Sequence, residues 1–214
     1  MISLLLSMSL FLAPTDPALN EVSEEICPCN IQSEEIQQTI DTMIDVAYGQ
    51  TKDHAKSILV GLAAPQIGIQ QRIILVDKAA TGVFKEGSTP PSPQIQIYID
   101  PEILWKSAET TSWREGCFST SSICGIVPRS RQIIIRAYDA QGNLFTEELF
   151  DYTARIFQHE VDLLDGIRFP DRIENDANLH WVEPSQQPEY RIHWSTWTQK
   201  CPREKWLEMK NNAK

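Results

Sequence analysis

The stretch FQHEVDLLDG, residues 157–166, sets an imidazole and a carboxyl side by side in a segment with apolar groups on most sides. At helical spacing Phe157, Val161 and Leu164 share one face, and Ile156, Glu160 and Leu163 share another. Such a helix is wrapped by other elements, so His159 and Glu160 are expected to be buried and to need partners. It should run from about Tyr152 to Asp165, with Asp151 as its cap and Gly166 closing it in the left-handed position. Adjacent helical residues point about 100° apart. That separation suits metallohydrolases in which one residue ligates and its neighbour moves protons. A second histidine four residues on would share the face of His159, and position 163 is Leu. An isolated His-Glu pair is more often a core histidine with satisfied hydrogen bonds, so other segments must decide.

Working outward, Ser33 caps a predicted helix with Glu34 and Glu35 in its first turn. Ile36, Ile40, Met43, Ile44 and Ala47 lie on one face, and Gly49 stops it. Ile73 to Val76 reads as a buried strand, and Ile95 to Ile99 alternates as a half-buried one. The Gly-, Pro-, Ser- and Thr-rich residues 78–94 between them are read as an exposed loop insertion, since neither flank could bury a separate core. Ile133 to Ile135 and Leu144 to Phe150 form two strands joined by a turn at Ala140 to Asn143, which implies antiparallel pairing. A last helix is predicted from Pro202 to about Asn211, with Trp206 and Met209 on one side. Strands with dispersed helices give an α+β fold, and residues 1–214 are read as one domain.

With 19 Lys and Arg against 29 Asp and Glu, the net charge is -10. An acidic body repels nucleic acid and anionic membranes, which argues against DNA and membrane partners and favours a peptide or small-molecule substrate. The apolar run Met1 to Ala13 lacks a preceding Lys or Arg and is too short to span a bilayer, so it is read as a buried first strand. Five cysteines cannot all pair, and Cys27 and Cys29 are read as poorly placed to bridge each other. A reducing cytoplasm is the compartment these features favour.

Two further segments carry chemistry. In EGCFS, Gly116 allows close backbone approach beside Cys117, which offers a thiolate to a metal or is a small buried hydrophobe. In GLAAPQIG, small residues lead to Gln66, an amide donor at what is otherwise a tight polar-tipped turn. Taken in this order and spacing, GLAAPQ at 61–66, EGCFS at 115–119 and HEVDLLDG at 159–166 resemble the three motifs of peptide deformylases. APTDPALNEVSEEI and GIVPRSRQIIIRAYDAQG extend the likeness over most of positions 10 to 173.

The resemblance implies a peptide-deformylase-like fold, with antiparallel strands around the central helix and further helices toward both termini. It implies that Cys117 and His159 are metal ligands, usually to ferrous iron, with zinc or nickel able to substitute. Glu160 is then the acid and base that activates water and protonates the leaving amine. Gln66 and the Phe118 backbone N–H hold the oxyanion at the formyl carbon, and Val60 and Gly61 line the peptide cleft. The implied reaction removes the formyl group from the starting methionine of new polypeptides.

One departure touches the chemistry. The family places a second His where Leu163 stands, completing a Cys-His-His site. The alternative reading is therefore an impaired relative that binds peptide N-termini without turnover. Asp162 could turn in as a carboxylate ligand, although the resemblance gives it a structural role; His54, His180 and His193 are the other conceivable donors. Leu59, where Gly is common, and Phe118, where Leu is common, are apolar changes that bear on substrate fit. A peptide-cleaving zinc protease is the weaker third reading, because that class needs two helical histidines four apart, which this chain does not supply. Residues 199–214 hold Lys200, Arg203, Lys205, Lys210 and Lys214 against Glu204 and Glu208, a local +3 read either as a solvated helix or as a ribosome contact.

Overall fold

The structure, a computed structural model, describes residues 10–49, 59–82 and 91–211. Helix α1, Glu34–Ala47, begins as its sequence demands: Ser33 Oγ accepts the Ile36 N–H at 3.4 Å, and Glu34 and Glu35 occupy the first turn. Ile36, Ile40, Met43 and Ala47 are buried, Ile44 is half-buried, and Gly49 leaves the helix with φ of 66°.

A five-stranded antiparallel sheet runs in the order β1 (Gly61–Ala63), β2 (Ile73–Asp77), β3 (Ile95–Lys106), β6 (Gln132–Tyr138) and β7 (Leu144–Phe150). β2 is apolar throughout because both of its faces are covered. Ile73 and Leu75 face α1 together with Leu62, Ile97 and Ile99. Ile74 and Val76 face the opposite way, toward helix α2 (Asp151–Leu164), with Tyr98, Ile133 and Ile135. The period-two alternation of a strand thus divides one apolar run between two helices. The loop insertion leaves the β2–β3 turn, its base fixed by the Lys78 N–H to Gln94 carbonyl bond at 2.9 Å and the Gln94 N–H to Asp77 Oδ1 bond at 2.8 Å.

A second antiparallel sheet, β4 (Thr110–Gly116), β5 (Ile123–Ser130) and β8 (Leu179–Trp181), covers Phe169 and Trp206. Two shorter helices follow, α3 (Gln187–His193) and α4 (Arg203–Asn211). The α+β class and the antiparallel pairing expected from sequence are observed.

Four expectations need correction. Leu10 to Ala13, the described end of the expected first strand, form no strand; the Leu12 N–H is bonded to the Gln66 carbonyl instead. Met1 to Ser9 lie outside the described residues, as do residues 83–90 of the loop, His54 and Lys214. Cys27 and Cys29 are joined in a disulfide, because the turn at Pro28–Asn30 brings their Cα atoms to 5.3 Å, within bridging reach. The cap of α2 is Phe150, not Asp151: β7 runs directly into the helix, Asp151 turns the corner at φ of 48°, and its carboxylate pairs with Arg131 at 2.7 Å. The last helix starts at Arg203, one residue later than expected.

Candidate active site

α2 holds His159 and Glu160 in different directions. His159 faces β4, and its Nδ1 lies 2.8 Å from Glu115 Oε2. Glu160 faces β1, and a side chain at Gly61 would collide with its carboxylate and come within 2.6 Å of Ile156 Cγ2. Glycine is required there because strand and helix approach closer than a Cβ permits. One Glu160 oxygen, Oε2, is buried and has no hydrogen-bond partner. Burial pushes the Glu160 carboxyl up to about 7.

Gln66 enters from the turn after β1. Its Oε1 accepts the Ala63 N–H at 2.9 Å, which fixes the amide plane, and its Nε2 reaches Cys117 Sγ at 3.2 Å and Ser119 Oγ at 3.4 Å. Cys117 follows the last residue of β4 and is half-buried. Cys117 also acts electrostatically on the His159 imidazole, so sulfur, imidazole and amide share one neighbourhood. The sequence placed these residues on three separate segments, and the fold brings them together. Phe118 opens the next turn with its ring 4.4 Å from that of Phe11, nearly parallel. Val60 and Phe118 are exposed, while Gln66 and Glu160 are buried.

Behind the imidazole stands a buried charge network that the sequence reading missed. Glu115 accepts from Arg129 at 3.0 and 2.9 Å and from Arg155 at 2.6 Å. Burial opposes the Glu115 carboxylate, but Arg129 and His159 outweigh it and hold the carboxyl well below the usual range. Burial also opposes the His159 imidazolium, yet its interaction with Cys117 and its hydrogen bond to Glu115 raise its pKa well above the ordinary histidine value. Glu115 stood inside a motif that was already quoted. Its only signal was a carboxylate beside Gly-Cys, and burial of an acid cannot be read without its cations.

The implied metal can be tested against the donors present. Cys117 and His159 converge, but Leu163 is buried among Val161, Leu164 and Ile133 and offers no lone pair. Asp162 does not turn in: it is paired with Arg129, and its Oδ1 takes Arg172 Nη2 at 2.6 Å. His180 is committed to Tyr190 at 3.0 Å and Lys200 at 3.1 Å, and His193 is exposed on α3, beside Gln186 and Trp197 rather than at the site. Among the described residues no three His, Cys, Asp or Glu side chains form a donor set. Two donors do not make the three-ligand centre that the resemblance implies.

Comparison with known proteins agrees with the geometry. The family model described as polypeptide deformylase matches residues 9–178. Peptide deformylase 2 of Nostoc sp. is 36% identical over 160 residues, covering 74% of this chain and 83% of the relative. The peptide deformylase of Thermotoga neapolitana is 36% identical over 164 residues, covering 77% and 86%. Among solved structures, the Thermotoga maritima peptide deformylase superposes with a TM-score of 0.62 at 33% identity, covering 77% of this chain and 97% of that one. The actinonin-bound class I type b peptide deformylase of Acinetobacter baumannii gives 0.63 at 27% identity, with the same coverage. By family match, relatives and fold, this chain belongs to the polypeptide deformylase family, metal-dependent hydrolases that act on formylated new polypeptides.

Proposed function

We propose that this chain removes the formyl group from the N-terminal methionine of new polypeptides at the site that Gln66, Cys117 and His159 share, with Glu160 beside them on the same helix. The observation that carries the reading is Glu160: a buried carboxyl with an unpartnered oxygen, packed against a glycine where no side chain fits. An unsatisfied buried acid costs stability, and such groups are tolerated where a substrate or water completes them.

The peptide end lies along Val60 and Gly61, with the formyl oxygen turned toward Gln66 Nε2 and the Phe118 N–H. Each preorganised donor to a developing oxyanion contributes about 2.7–4 kcal/mol of transition-state stabilisation. Glu160 moves protons, as carboxylate taking one from water and as acid returning one to a leaving group. Ferrous iron, or zinc or nickel in its place, would find only Cys117 and His159 as protein donors, so the reading routes no step through an ion.

The chain is read as one domain acting in the cytoplasm. Among the described residues no helix is long and apolar enough to cross a membrane. A ribosome contact through residues 199–214 has little support, since among the described residues the tail's cations have internal partners. Arg203 pairs with Asp176 at 2.8 Å, Lys210 pairs with Asp171 at 2.7 Å, Lys200 bonds the Trp197 carbonyl at 2.8 Å, and Lys205 lies over the Trp181 ring. The alternative, peptide binding without turnover, is favoured by Leu163 alone.

Formate release from a formyl-methionyl peptide tests the reading. Wild type should release formate, and Glu160→Gln, which keeps the shape and loses the proton, should fall by about 10²–10⁴-fold. Peptide binding without formate release would establish the alternative.

A further inference from the structure

The two oxyanion donors named above, the Gln66 amide and the Phe118 N–H, stand on turns that belong to different sheets: Gln66 follows β1 and Phe118 follows β4. Between those turns Gln66 Nε2 reaches Ser119 Oγ at 3.4 Å, a long contact. A third segment, Phe11 to Pro14, touches both. The Leu12 N–H donates to the Gln66 backbone carbonyl at 2.8 Å, and the Leu12 side chain lies beside Gly68, whose φ of 81° closes that turn. The Phe11 ring stacks on Phe118, with centroids 4.4 Å apart and planes 9° from parallel. Pro14 offers its carbonyl to Arg168 Nη1 at 2.6 Å, and the same nitrogen donates to the Ser119 carbonyl at 2.9 Å. Arg168 is fully buried, with Nη2 on Asn20 Oδ1 at 2.9 Å and its guanidinium 4.5 Å from the centre of the Trp206 ring. A guanidinium out of water is fixed by the acceptors and the ring face that replace its hydration.

We propose that Phe11 is a positioning residue for this chain's deformylation: residues 11–14, with the Phe11 ring on Phe118, Leu12 on the Gln66 turn and Pro14 on Arg168, hold the two oxyanion donors at a fixed separation. The inference rests on the formyl-peptide reading above and adds what sets the spacing of its donors. Phe118 opens a three-residue turn, Phe118–Thr120, closed by the Thr120 N–H to Cys117 carbonyl bond at 3.1 Å. Ser121 leaves it at φ of 54°, a conformation that a serine keeps only where its surroundings impose it. In so short a turn the direction of the Phe118 N–H follows from what fixes the ring before the turn's centre and the Ser119 carbonyl within it, and those fixings are Phe11 and Arg168. Phe118 is 42% exposed, so its stack on Phe11 is a contact that a smaller residue at position 11 would give up to water. Preorganised donors act because they are already aimed when charge develops, and a displacement of about 1 Å costs about 10²-fold. Phe11 works through Phe118 and needs no contact with the formyl group.

The test compares wild type, Phe11→Ala and Phe11→Tyr as full chains, each with the metal it carries on purification. Formate release from a formyl-methionyl peptide is measured beside amide hydrogen exchange read by mass spectrometry on the same samples. Phe11→Ala should lose about 10-fold in kcat while KM changes by less than about twofold, as expected of an interaction that works in the transition state rather than in binding. Phe11→Tyr, which keeps the ring, should recover the wild-type kcat to within about twofold. Exchange in Phe11→Ala should quicken at residues 64–68 and 117–120 and stay unchanged in α1. A wild-type kcat in Phe11→Ala, a loss confined to KM, or faster exchange that spreads into α1 would overturn the positioning role and leave the deformylase reading standing. No formate from wild type would remove that reading and this role with it.

Discussion

Glu115 meets three cationic or potentially cationic side chains, Arg129, Arg155 and His159, and all four residues are largely withdrawn from solvent. Neutralising it leaves Arg155 buried without its counter-ion and Arg129 with Asp162 alone. Glu115→Gln should therefore lower the unfolding free energy by about 3–5 kcal/mol, the usual cost of breaking a buried pair. Chemical denaturation of the variant beside wild type checks this. Leu163 lies on the same helix with a different consequence. Leu163→His supplies the missing imidazole at i+4 from His159, so the purified variant should hold metal stoichiometrically where wild type holds far less. Metal content by elemental analysis decides the matter; equal content in both proteins would show that another donor completes the wild-type site. Without metal, the same imidazole in an apolar cluster should cost about 1–3 kcal/mol.

Elements were legible where local signals agreed. α1 had a cap, acidic first-turn residues, an apolar stripe and a terminal glycine, and it was read to within a residue at its start. β4, β5 and β8 were missed. Thr110 to Gly116 shows little apolar alternation, and Pro128 interrupts the run Ile123 to Ser130, although it is tolerated beside Ser112 in the ladder. Those strands exist because they pair with each other, a fact no local window contains. The end of α2 was read correctly from Gly166, and here glycine is required twice over. Its φ is 68°, and an added Cβ would lie 2.7 Å from the Asn20 carbonyl carbon. Gly166→Ala should destabilise by more than about 1 kcal/mol and loosen the N-terminal segment against the helix, measured by thermal unfolding and limited proteolysis near Asn20.

At the scale of the molecule, the C-terminal segment is packed as structure. Trp206 is fully buried, donates to Asp171 at 2.9 Å and lies under Arg168, whose Nη1 donates to the Ser119 carbonyl at 2.9 Å beside the site. His180 joins this segment to β5. Burial and the neighbouring Lys200 push its pKa down from 6.5 to about 4. A folded pKa below the unfolded one means that the unfolded chain binds the proton first. The His180 contribution to stability is therefore complete above about 6.5 and is lost progressively as pH falls toward about 4. Urea midpoints should drop over that window, and His180→Gln should flatten the drop; an unchanged slope would show that other groups set it.

The sequence by itself determined the α+β class, the helices that carry their own caps and stripes, and the three segments from which the site is drawn. Motif order and helical period are properties of the chain, readable one window at a time. Tertiary structure alone decided that Glu115, 44 residues from His159, bonds it, that Asp162 belongs to Arg129 and Arg172 instead of to an ion, and that Arg203 and Lys210 of the basic tail pair within the chain. The physical reason is that a buried charge is defined by its partners: the same carboxyl is base, ligand or strut according to which cation the fold sets a few ångströms away.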